Sequence, residues 1–171
     1  MRLDEALLRV AETCERNGIE YALAGGFAYA IYCTPRATVD IDIVAVGDPA
    51  RLEAALISAF ATVYRNTVPM EYPLVRVHRF LLIDTDEEIV LDALEPTRTS
   101  FGAEVAAHTR TVEFHDRDLR VVAPEHLYAM KRASSRPQDQ LDADELLASV
   151  GDSFDSELVD RWVEPGDTSP A

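Results

Sequence analysis

The sequence predicts an α+β fold: a mixed β-sheet covered by helices, with a helical C-terminal third. Three observations predict it. Helix-period and strand-period apolar spacings alternate along the early part of the chain. Two strand-like runs then flank an acidic turn, as in an antiparallel hairpin. Finally, two proline-headed helical patterns occupy most of the last third.

Residues 3–17, "LDEALLRVAETCERN", place Leu3, Leu7, Val10, Ala11 and Cys14 at helical spacing, and Gly18 supplies a C-terminal stop. "IEYALA" (19–24) reads as a buried strand ending at Gly25-Gly26. "FAYAIYC" (27–33) has no breaker and predicts a short helix, which Pro35 ends, leaving a loop through Arg36. "TVDIDIVAV" (38–46) is the clearest strand. Asp48 as N-cap and Pro49 at the first helical position open a helix over 48–60. "ATVYR" predicts a short strand; 74–83 and 88–94 form the hairpin around "DTDE", which reads as a solvated turn. A second short hairpin is expected over 111–123, and helices over 124–134 and 137–150. A last amphipathic piece, 154–163, is expected to dock as a helix through Leu158, Val159 and Trp162. The organisation expected is a core over 1–123, a helical segment over 124–163 packed on it, and a disordered tail over 164–171.

With 171 residues and 47% apolar composition, the chain suits one domain with a sizeable core. Its longest apolar runs are far short of the roughly 20 residues a membrane helix needs, and the acidic N-terminus predicts no signal peptide. Two cysteines, Cys14 and Cys33, are too few for a disulfide framework and are expected as small buried groups in a reduced, cytoplasmic setting. The net charge of −15 repels phosphate backbones, which argues against broad electrostatic binding of nucleic acid but leaves a local basic groove open. Of the 16 bases, the only lysine is Lys131; it stands there by chance or because arginine cannot replace it. His78, His108, His115 and His126 have no ligand spacing and are expected on the surface or in strands.

Asp40 and Asp42 lie two apart in a strand, so both side chains project from one face while Val39, Ile41 and Ile43 turn into the core. Two such carboxylates repel, and a divalent cation removes the conflict, since Mg²⁺ takes one or two protein carboxylates with water and phosphate oxygens. The competing reading is an edge strand with one solvated face. Gly25-Gly26, between a strand and a helix, offers free N–H groups and room for a phosphate. Thr38 shares the face of the two aspartates by alternation. Asp92, embedded in "IVLDAL", is costly unless it meets a metal or a donor, and joins the pair if its strand neighbours 38–46.

The segment "GGFAYAIYCTPRATVDIDIVA" resembles the nucleotidyltransferase superfamily that includes DNA polymerase β, in which a Gly-Gly or Gly-Ser turn precedes Asp-x-Asp and a later third carboxylate. Its flavour is closest to the AbiEii/AbiGii-type toxins, whose downstream Lys…Arg-x-x-Asp helical segment is similar to Lys131, Arg136 and Asp139. The resemblance implies that Asp40, Asp42 and Asp92 are catalytic and ligate two Mg²⁺ ions, with Asp92 also helping to deprotonate an acceptor hydroxyl. Gly25 and Gly26 would hold the NTP phosphates and Lys131 would neutralise them. Thr38 lies beside this nucleotide site, while Arg36 and Arg136 would touch phosphate or brace the acids. Asp139 is either catalytic or a helix-surface acid. The implied reaction transfers an NMP from an NTP, such as ATP, to an acceptor hydroxyl: an RNA or tRNA end in a toxin–antitoxin setting with a cognate antitoxin partner, or an aminoglycoside-like small molecule. A non-catalytic nucleotide- or partner-binding protein of the same fold is the alternative from another class.

Overall fold

A computed structural model of the chain describes residues 1–35, 37–84 and 87–163; Arg36 and the 164–171 tail therefore lie outside the described residues. Helix α1 (Leu3–Arg16) leads into β1 (Glu20–Leu23), α2 (Gly25–Tyr32), β2 (Asp40–Val46), α3 (Pro49–Ala59) and β3 (Thr62–Arg65). A two-residue β4 (Met70–Glu71) precedes the long pair β5 (Val75–Asp84) and β6 (Glu87–Pro96). Then come α4 (Thr99–Ala107), β7 (Arg110–Phe114), β8 (Arg117–Val121), α5 (Pro124–Arg132) and α6 (Pro137–Val150).

The strands form one mixed sheet in the order β3-β5-β6-β2-β1-β8-β7, with β4 on the flank of β5. β2 runs parallel to β6 and antiparallel to β1, while β1 meets β8 in parallel. The α+β class read from the sequence is the one observed. Local chemistry explains much of it: the Asp48 carboxylate accepts from the Ala50 N–H at 2.8 Å, capping α3 ahead of Pro49. Gly18, with φ +58°, follows α1 as the predicted stop. The β7–β8 hairpin turns on His115 and Asp116, both at positive φ, a polar pair that tolerates the left-handed conformation.

One sheet face is apolar. Ile41, Ile43, Phe80, Leu82 and Leu91 are fully buried there, with Leu7 and Val10 of α1 and Leu52 and Leu56 of α3 in the same core. Strand alternation sends Asp40, Asp42, Arg79 and Asp92 to the other face, where α2, α5 and α6 gather.

Four expectations need correction. Val39 does not enter the core; it precedes β2 and is 82% exposed. His126 is neither on the surface nor in a strand but fully buried on α5, edge-on to Phe101 at 6.0 Å. Cys33 is only half-buried, at the end of α2. The 154–163 piece docks as expected, with Val159 and Val163 buried and Trp162 at 5.0 Å from Phe101, but it is a 3-10 turn over Ser156–Leu158 rather than a helix. Helix α4, unassigned from sequence, links β6 to β7 and carries Phe101.

Leu91 is fully buried and faces Phe80 across the β5–β6 register, so Leu91→Ala should cost about 2–5 kcal/mol through lost contacts and a residual cavity. Urea titration is expected to show a lower midpoint at unchanged slope.

Candidate active site

The site is built from the second face of the sheet. Parallel pairing of β2 with β6 sets Asp42 directly against Asp92, with Asp40 opposite Val90. Partners in register project to the same side, so the three carboxylates converge on one face, as the sequence required. They lie in a cleft of about 580 Å³ that also takes in Gly25, Gly26, Thr38, Lys131, Arg136 and Asp139. Every residue singled out from the sequence is therefore in one place, apart from Arg36, which lies outside the described residues.

The diglycine has a steric reason. Gly25 has φ +52°, and a Cβ added there would stand 1.8 Å from an Asp42 carboxylate oxygen. At Gly26 a Cβ would meet the Thr38 hydroxyl oxygen at 2.6 Å. The turn thus fits against the strand only without side chains. The Gly26 amide lies close enough to the Asp42 carboxylate to favour its charged form. The Thr38 hydroxyl donates to Asp40 at 3.3 Å.

Burial pushes the Asp42 carboxyl up from 3.8 to about 7, and the charges of Asp40 and Asp92 add to the effect; the Gly26 amide and Lys131 pull the other way. Asp92 is buried and sits in the fork of Arg79, whose Nε and Nη2 donate to its two oxygens at 2.8 and 2.7 Å. That bond in turn raises the guanidinium's affinity for its proton. Arg79 is the residue of the cleft that sequence reading missed. The signal was present: Arg79 and Asp92 are opposite charges embedded in the two arms of one hairpin, each five residues from Asp84 or Glu87, which pair at the turn.

With Asp92 held this way, no group of three acidic, histidine or cysteine side chains among the described residues stands ready as a metal cage. Asp40 and Asp42 still fit a hard cation, because their oxygens are the right donor type and burial, with the neighbouring charges of Asp40 and Asp92, leaves Asp42 with a raised affinity for a positive partner.

On the helical side, Lys131 is buried and donates to Asp142 at 2.6 Å and Asp139 at 3.3 Å, with its ammonium 5.5 Å from the Tyr29 ring centroid. Asp139 also accepts from the Ser134 hydroxyl at 2.7 Å, so it is part of the site's wall rather than a solvated helix-surface acid. Arg136 stands 3.8 Å from the same carboxylate and is two-thirds exposed.

The mixed sheet with helices on both faces is a fold also found in solved nucleotidyltransferase structures. Solved structures with this likeness include an antigenic nucleotidyltransferase-like protein from Paracoccidioides brasiliensis (TM-score 0.59, 16% identity, 86% of this chain and 75% of that one). The antibiotic-resistance factor ANT(2'')-Ia is similar both in solution (TM-score 0.57, 13% identity, 93% and 88%) and in complex with adenylyl-2''-tobramycin (TM-score 0.58, 14% identity, 93% and 95%). At these identities the likeness is one of fold. No protein-family model and no curated sequence matches the chain. Among the described residues no helix is long and apolar enough to cross a membrane.

Two outcomes follow from this geometry. Because Asp42 binds its proton more tightly folded than unfolded, its contribution to stability is complete below pH 3.8 and is lost as pH rises through about 7. Asp42→Asn, neutral throughout, should melt close to wild type at pH 4 and above it at pH 8 without divalent cation; equal melting at pH 8 would mean the carboxylates carry no mutual penalty. Gly25→Ala should destabilise by more than about 1 kcal/mol, through strain at positive φ and overlap with Asp42, and combining it with Asp42→Gly should recover part of that loss in a double-mutant cycle.

Proposed function

We propose that the chain is a metal-dependent nucleotidyltransferase that moves an NMP from an NTP to an acceptor hydroxyl. The observation that carries this reading is the register pairing of Asp42 with Asp92, beside Asp40 and against a turn that excludes every side chain but hydrogen. The likeness to ANT(2'')-Ia, solved with adenylyl-2''-tobramycin, supports nucleotidyl transfer to a small molecule.

Asp40 and Asp42 would hold Mg²⁺, which when bound supplies charge neutralisation at the triphosphate. The resemblance implies two ions; the oxygens of Asp40 and Asp42 suit a cation as they stand, whereas Asp92 joins them only once an oxygen leaves the Arg79 fork. By the resemblance Gly25 and Gly26 would hold the phosphates through their backbone; without side chains they let the turn close directly on Asp42 and Thr38. Lys131 and Arg136, lining the same cleft from the α5 and α6 side, set positive charge opposite the acids. The acceptor oxygen forms a bond to the α-phosphorus while the bond to the bridging oxygen breaks, and pyrophosphate leaves with that electron pair. The hydroxyl proton passes to the Asp92 oxygen released by Arg79, which keeps its hold on the other oxygen and orients the carboxyl.

Incubation with α-labelled NTPs, Mg²⁺ and an acceptor panel should transfer label, and Asp42→Asn should lower that transfer by about 100-fold or more. Calorimetric titration should find NTP binding that depends on Mg²⁺. Equal labelling by Asp42→Asn, or NTP binding indifferent to the metal, would sink the assignment.

A further inference from the structure

The acids divide the cleft into two unlike halves. Sheet order puts β2 between β1, which leads into the Gly25-Gly26 turn, and β6, beyond which lies β5. One half therefore holds the diglycine, with Lys131 and Arg136 contributed from the α5–α6 side. The other half is the β5–β6 surface and the segment before it. There Leu94 and Val77 are register partners on the face of Asp92 and Arg79, Val75 lies two residues further along β5, and Leu74, Tyr72 and Met70 complete the wall. Val39, 82% exposed, stands among the lining residues on the approach, and Met70 is 36% exposed.

Among the described residues, this second half offers no unpaired charge to a ligand. The one cation described there, Arg79, is bound through two nitrogens to Asp92. Elsewhere in the cleft Lys131 is held by Asp142 and Asp139, and Asp139 is held in addition by Ser134. Among the described residues, a polyamine would find no carboxylate in the cleft beyond those reserved for metal, Arg79 and Lys131. A polyanion would find there one loosely engaged cation, Arg136, on a protein of net charge −15. Apolar walls bind apolar bodies, and pockets of this size take one drug-sized molecule or two smaller ones.

Resting on the nucleotidyltransferase reading, we propose that the acceptor is a small, uncharged alcohol with an apolar body seated on the Leu94–Val77–Tyr72–Met70 wall, its hydroxyl turned toward Asp92. The transfer makes a phosphodiester of that alcohol and releases pyrophosphate, the proton going to Asp92. The ligand class is set by the wall; the reaction is set by the acids.

The test uses the full chain with α-labelled ATP and Mg²⁺, and four kinds of acceptor: straight-chain alcohols from ethanol to octanol, 2-phenylethanol, kanamycin and total RNA. Calorimetric ATP binding is measured first, so that failure of the nucleotidyltransferase reading (no Mg²⁺-dependent binding) is separated from failure of the acceptor assignment. Transfer to the alcohols should rise at least tenfold from ethanol to octanol or phenylethanol, with kanamycin and RNA near background. Leu94→Ser and Met70→Ser, at partly exposed positions, should each raise the KM for the alcohol several-fold while the Kd for ATP stays within twofold of wild type. Preferential labelling of kanamycin or RNA overturns the proposal. So does the absence of labelled alcohol when ATP binds, or a flat response to alcohol size. A fall in ATP affinity in the Leu94 and Met70 variants also overturns it, by assigning the wall to the nucleobase.

Discussion

The parallel register between β2 and β6 is the constraint on which the rest of this molecule depends. It sets Asp42 opposite Asp92 at the centre of a sheet, where carboxylates are expensive, and each carboxylate is answered by a specific neighbour. Arg79 grips Asp92 through two bonds, the Gly26 amide and the field of Lys131 act on Asp42, and the Thr38 hydroxyl donates to Asp40. The compensation is incomplete, as the raised proton affinity of Asp42 records. Burial is the largest cause of that rise, with the charges of Asp40 and Asp92 behind it.

The same register dictates the layering. With the acids on one face, Ile41, Ile43, Phe80, Leu82 and Leu91 turn to the other, where Leu7, Val10, Leu52 and Leu56 of α1 and α3 meet them. The polar face is enclosed by the apolar α2 and by α5 and α6, which carry charge. Helix α6 is tied to α5 by Lys131 to Asp142, Arg132 to Asp144, and Gln140, whose amide donates to the carbonyls of Lys131 and Arg132 at 3.1 and 3.3 Å and also to that of Ser134. These bonds satisfy the carbonyls of Arg132 and Ser134 past the end of α5 and add to the Ser134 N–H already on that of Lys131. They also fix Lys131 at the cleft, giving the solitary lysine a site where a compact ammonium sits among two carboxylates and the Tyr29 ring.

Legibility in the sequence followed the range of the interactions. Caps, stops and periodicity are local, so α1, α3, α5, α6 and the β5–β6 hairpin were readable within a residue or two. Asp40 and Asp42 announced themselves because strand geometry alone places them together, and Asp92 because an isolated acid in an apolar run demands a partner. What escaped depended on pairing across the sheet or on packing. Arg79 reads as one more surface base until the hairpin register is counted. The buried His126 is invisible because its setting is built by Phe101 and Trp162 from elements far away in the chain. Helix α4 has weak amphipathic spacing and no side-chain cap, and the 154–163 segment has helical spacing that its packing overrides. Val39 follows strand parity only on paper, since β2 begins one residue later.

The fit between the Gly25 turn and the Asp42 side chain bears on how such a protein can change over generations. The two positions touch so closely that neither is free to drift alone: any larger residue at 25 requires a shorter one at 42. Descendants that keep the scaffold would shed the acid first and only then acquire a side chain in the turn. A bulkier residue at the first glycine would therefore be the late, legible scar of a lineage that had already given up the carboxylate at 42.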